Sequence, residues 1–178
     1  RIENLFLTIS IDGAGETYER IRRRASWERL TANLEELRRL KQDRPGWRLN
    51  FNSIVMNSTA ECLEEIIDLA ERVEASVFFM PINGGHPEED IFAHPGALAD
   101  REAFVATLER ARAHARRRGA AKAADSLEKA MAWLDLSHAH RRAHKEGVAA
   151  HDYRGFQRLP AEITERLQPA ADRLSEVR

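Results

Sequence analysis

The stretch Leu5-Phe6-Leu7-Thr8-Ile9-Ser10-Ile11-Asp12-Gly13 decides the fold. Two-residue alternation sets Leu5, Leu7, Ile9 and Ile11 on one face of a strand and Thr8, Ser10 and Asp12 on the other. The first face asks for a covering layer of helices. The second grows more polar toward its C-terminal end, where a glycine turn follows at once, as parallel α/β sheets and barrels do at the end that binds ligands.

Outward from this strand, the segment Glu16 to Gln42 sets Tyr18, Ile21, Leu30, Leu34, Leu37 and Leu40 at helical spacings with charge between them. Ser26 is placed to cap a second, longer helix from Trp27, and Pro45-Gly46 closes it. Short runs rich in β-branched or aromatic residues predict strands over Leu49 to Met56 and Val77 to Ile82. Between them, Thr59 to Glu74 carries the stripe Ile66, Ile67, Ala70 and Val73, and Ser58 followed by Glu61 reads as a capping box. Strand, helix, strand, helix, strand is two crossover units, so the three strands are expected to be parallel neighbours with their carboxyl ends on one rim. Asp12-Gly13, Asn57-Ser58 and Asn83-Gly84-Gly85 share that rim. A loop follows from His86 to Gly96, then a helix over Asp100 to Arg118 stopped by Gly119, another from about Ser126 to His144, and a last one over Pro160 to Val177.

Composition narrows the functional classes. The chain has 178 residues, 43% hydrophobic and 32% charged, enough for one buried core and too charged for a membrane-embedded protein. With 28 basic and 29 acidic residues the net charge is -1, so nothing draws the whole molecule to nucleic acid or anionic lipid. A single cysteine, Cys62, excludes an internal disulfide framework and an iron–sulfur cluster held by this chain alone. No charged-then-apolar leader is visible, and the chain is expected to be cytoplasmic. It opens at Arg1, just before a well-formed strand, and reads as the interior of a larger polypeptide.

Three stretches at matching separations carry a family resemblance. Ile9-Ser10-Ile11-Asp12-Gly13-Ala14, with Glu16 to Arg22 and Trp27-Glu28-Arg29-Leu30, resembles the fourth strand and helix of radical S-adenosylmethionine enzymes. Asn50 to Met56, Glu64 to Ala70 and Phe79-Met80-Pro81-Ile82 are similar to the fifth strand, fifth helix and sixth strand of that fold. The resemblance implies an α/β fold: the C-terminal part of a partial (β/α)6 TIM-like barrel over residues 1–119, with a helical extension over 120–178. It implies a 4Fe-4S cluster and S-adenosylmethionine as cofactors. Together they generate a deoxyadenosyl radical that abstracts hydrogen from a peptide or small-molecule substrate, with an electron donor protein as partner. Carried over residue by residue, Ser10 and Asp12 are the leading contacts to cofactor or substrate, with Asn52 next and Arg22 placed to pair with the methionyl carboxylate. The three-cysteine motif and the first three strands are absent, so the cluster ligands lie outside this chain and the chain alone is expected to be inactive. The stretch Leu136-Ser137-His138-Ala139-His140 stands where the subgroup with auxiliary clusters has cysteines.

Plainer readings stand beside these. Asp12-Gly13 also suits a simple strand-ending turn, and Asn52 is satisfied equally by a neighbouring backbone group. Cys62 reads as a small buried apolar group. His140 and His144 share a helix face near His138, as a metal site requires and as chance also supplies in a polar helix. The basic run Arg110 to Arg118 lacks the interleaved aromatics of a nucleic-acid surface and reads as a solvated helix face. The loop His86-Pro87-Glu88-Glu89-Asp90 suits a lid or a solvated connector. For the whole chain the alternatives are a non-catalytic α/β interaction or scaffold module and a nucleotide-binding doubly wound domain. Gly13 and Gly15 supply only part of the latter's phosphate loop.

Overall fold

The alternating stretch forms the strand β1 over Leu5–Ser10. Gly13, at φ +87°, turns the chain out of it, and a Cβ there would lie 2.6 Å from Thr17 Cγ2. The helical spacings that follow resolve into α1 (Gly15–Ile21) and α2 (Trp27–Gln42). Ser26 caps α2, its hydroxyl accepting from the Arg29 amide at 3.2 Å. β2 spans Trp47–Val55. A 3-10 turn over Asn57–Cys62 leads into α3 (Leu63–Arg72), and β3 spans Ser76–Pro81. α4 (Arg101–Arg117) begins at Asp100, whose side chain accepts from Ala103 N at 3.0 Å, and ends before Gly119 at φ +69°. α5 spans Ala121–Lys145.

The computed structural model describes residues 3–82, 86–92 and 100–145, with side chains as far as residue 135. Asn83-Gly84-Gly85, the end of the loop at Gly96, the side chains of His138, His140 and His144 and the helix expected over Pro160 to Val177 lie outside the described residues. The chain divides into two units, Arg1–His140 and Arg141–Arg178. The boundary expected at residues 119 and 120 falls between α4 and α5, and Ala123, Ala124, Leu127, Ala130 and Leu134 of α5 belong to the same hydrophobic core as the sheet.

The three strands form one parallel sheet in the order β1-β2-β3, as two consecutive crossovers require. The register sets Leu7 beside Leu49, Ile9 beside Phe51, and Ser53 beside Phe79. This side packs on helices. Phe51, Val55, Val77 and Phe79 are buried there with Leu34 of α2, Leu63, Ile66 and Ile67 of α3, Leu108 of α4 and Leu127 of α5.

Two sequence expectations are corrected. No Ser58–Glu61 capping box forms at the start of the 3-10 turn. Thr59 is the residue that bridges, its hydroxyl accepting from Met56 N at 3.1 Å and donating to Ile54 O at 2.8 Å. Ser58 N donates instead to Glu89 Oε2, and Glu61 is drawn to Thr107 and Arg110 on α4. The last described helix starts at Ala121 rather than Ser126. Ser126 is not a cap: its hydroxyl accepts from Phe79 N at 3.0 Å.

Candidate functional site

The pairing register assigns one side of the sheet to Phe6, Thr8 and Ser10 of β1, Arg48, Asn50, Asn52 and Ile54 of β2, and Ser76, Phe78 and Met80 of β3. None of these side chains is buried. Phe6 is 70% exposed and Phe78 38%. The helix-facing side is filled along β2 and β3, while this one carries no buried side chain. Its middle rows are polar: Thr8, Asn50 and Ser76 lie abreast, and Ser10, Asn52 and Phe78 form the next row toward the C-terminal rim.

Of the residues singled out in the sequence, Ser10 and Asn52 are direct neighbours on this bare side. Ser10 is exposed. Asn52 is half-buried and its Oδ1 accepts from Asn50 Nδ2 at 3.0 Å. Asp12 is different. It is buried, and both its oxygens bond to the protein: Oδ1 accepts from Ile54 N at 2.9 Å and Oδ2 from Arg22 Nη2 at 2.6 Å. The ladder between β1 and β2 ends with Ile11 N donating to Asn52 O at 2.9 Å, and the Asp12 carboxylate then accepts from the Ile54 amide, the next donor along β2. Asp12 thus ends the strand with its side chain and holds the residue after α1. Arg22 is left with a buried Nε that has no partner among the described residues, an expensive state for a guanidinium donor unless an acceptor arrives.

Alternation along β2 also marked Asn50, and alternation along β3 marked Phe78. Neither was singled out from sequence, because an asparagine or a phenylalanine carries no chemistry of its own until the register sets it beside Ser10.

The remaining candidates lie elsewhere. Cys62 is a half-buried free thiol, and among the described residues no group of three histidine, cysteine, aspartate or glutamate side chains is arranged to hold a metal. Much of the basic run is paired with acidic residues. Arg110 meets Glu61 and Glu64, His114 lies 2.7 Å from Asp68, and Arg118 reaches Asp68 and Glu71. The loop after β3 is fastened at its far end, where Ile91 and Phe92 enter the core, while His86, Pro87 and Glu88 are exposed. Among the described residues no helix is long and apolar enough to cross a membrane.

No family model matches the chain, and neither a curated protein nor a solved structure matches it.

Proposed function

We propose that the chain is the C-terminal part of a radical S-adenosylmethionine partial barrel, acting in the cytoplasm on a peptide or small-molecule substrate with an electron donor protein as partner. One observation carries this reading: the sheet is finished on one flank and unfinished on the other. β3 is closed by α5 through the bond from Phe79 N to Ser126 Oγ, whereas the bare side and outer edge of β1 have nothing against them among the described residues. A barrel segment that ends at β3 and begins before β1 has this form.

The cofactors fit unequally. The described residues offer no ligand set for a 4Fe-4S cluster, so on this reading its ligands belong to another part of the protein. For S-adenosylmethionine the donors are suitable. Arg22, with its unpartnered Nε, would meet the carboxylate, while Ser10 and Asn52 would meet hydroxyl or amine groups. When bound and reduced, the cofactor supplies a radical that abstracts hydrogen. This chain's own work is to bind through Ser10 and Asn52 and to orient through Asp12 and Arg22.

A second reading, a non-catalytic interaction or scaffold module, is favoured by the engagement of both Asp12 oxygens within the fold. Anaerobic reconstitution of the full-length polypeptide with iron and sulfide separates the two. The expected result is a reducible cluster and reductive cleavage of S-adenosylmethionine, impaired by Arg22→Ala. A polypeptide that takes up no cluster overturns the enzyme reading and leaves the scaffold.

A further inference from the structure

β2 carries two asparagines on its bare side, Asn50 and Asn52, although asparagine is among the residues that strands accept least readily. Both are half-buried. Their neighbours across the sheet are uncharged: Thr8 and Ser76 flank Asn50, and Ser10 and Phe78 flank Asn52.

The two side-chain amides are joined in one direction. Asn50 Nδ2 donates to Asn52 Oδ1 at 3.0 Å and, more weakly, to Phe51 O at 3.4 Å. Among the described residues nothing accepts from Asn52 Nδ2. A free asparagine amide turns about its last bond between two broad orientations that exchange oxygen for nitrogen. In Asn52 the bond from Asn50 selects one of them, with the oxygen held by Asn50 and the nitrogen as the unused donor.

We infer that Asn50 is a positioning residue for the ligand of the bare side: it holds the Asn52 amide so that Asn52 meets that ligand as a donor, opposite an uncharged oxygen of the hydroxyl or carbonyl class. This rests on the proposed binding of S-adenosylmethionine and narrows it, because Asn52 then takes a hydroxyl oxygen. An amine would need the Asn52 oxygen, which Asn50 already occupies. A carboxylate would give up its water in two rows that hold no cation, and Arg22 is the residue suited to it. Fixing the amide before the ligand arrives also lowers the cost of ordering it on binding.

Two measurements test this. The first needs no ligand: hydrogen exchange of the side-chain amides, followed by NMR of the chain labelled at asparagine nitrogen. Asn52→Ala should speed exchange of the Asn50 amide, which loses its acceptor. Asn50→Ala should leave exchange of the Asn52 amide unchanged, because no donor bond of Asn52 is lost. Any other pattern overturns the inference. The second is a double-mutant cycle on S-adenosylmethionine binding by the reconstituted full-length polypeptide, read by calorimetry. Asn52→Ala is expected to weaken binding about five- to tenfold and Asn50→Ala about threefold, with no further loss from Asn50→Ala in the Asn52→Ala background. A merely structural role for Asn50 gives the same loss in both backgrounds and overturns the inference. A parent that binds no S-adenosylmethionine overturns the cofactor reading and the inference resting on it, and the exchange pattern then tells that failure from a misassigned amide.

Discussion

Replacing Asp12 by alanine tests whether this carboxylate belongs to the fold or to a ligand. It removes the acceptor of Ile54 N at 2.9 Å and of Arg22 Nη2 at 2.6 Å. A hydrogen bond to a charged acceptor contributes about 1.5–3 kcal/mol, and a stranded buried amide costs a similar amount. The Arg22 side chain is 38% exposed, so the released guanidinium regains water and the ion pair adds only roughly 0–1 kcal/mol. The expected loss for Asp12→Ala is thus about 2–3 kcal/mol, or roughly 5–10 °C in Tm for a chain of this length. Asp12→Asn keeps an oxygen for the Ile54 amide and should cost about half as much. Urea unfolding followed by tryptophan fluorescence gives both values, and amide exchange at Ile54 reports the bond directly. If Asp12→Ala costs less than about 0.5 kcal/mol, or Asp12→Asn costs as much as alanine, the carboxylate does not end the β1 ladder and the reasoning fails.

Three further outcomes follow from the same bonds. Ser126→Ala strands the buried amide of Phe79 and should cost about 1–2 kcal/mol, with faster hydrogen exchange at Phe79 and unchanged exchange in β1. Ser53 is fully buried on the helix side and its hydroxyl has no partner among the described residues, so Ser53→Ala should be neutral or stabilising by up to about 1 kcal/mol in urea unfolding. Ser10→Ala should leave stability within about 0.5 kcal/mol of the parent, because the side chain is exposed, while weakening S-adenosylmethionine binding by the reconstituted full-length polypeptide, measured by calorimetry.

Much of the architecture was legible because it is local. Alternation in the first strand and runs of β-branched or aromatic residues in the other two located each strand to within about two residues, Ser26 and Asp100 announced their helices, and Gly119 its stop. What was not legible depends on distant partners. Ser58 and Glu61 have the spacing of a capping box, but Glu61 finds Arg110 and Thr107 on α4 and Ser58 finds Glu89. Ser126 has the chemistry of a helix cap and is used instead to close a strand 47 residues away in sequence. For the site, Ser10 was found by its position on the polar face of an alternating strand, and Asn52 only through the family resemblance. The engagement of Asp12 by both Arg22 and Ile54 was not, since a carboxylate at a strand end is equally suited to a turn, a ligand or a neighbouring amide.

Both edges of the sheet obey one rule, that successive residues send their backbone groups to opposite sides. In β1 the residues that point outward by their backbones, Phe6, Thr8 and Ser10, also carry their side chains on the bare side. Any strand that pairs with this edge therefore comes to rest beside Ser10, one position from Asn52. The occupant of the edge becomes a wall of the candidate site. A strand from elsewhere in a longer polypeptide would bring its own side chain to stand opposite Ser10. Pairing at β1 and ligand binding on the bare side are accordingly one problem, and a variant such as Thr8→Pro, which removes an outward N–H and a side chain of the bare side, should change the access of small molecules to Ser10 while leaving the Asp12–Arg22 pair in place.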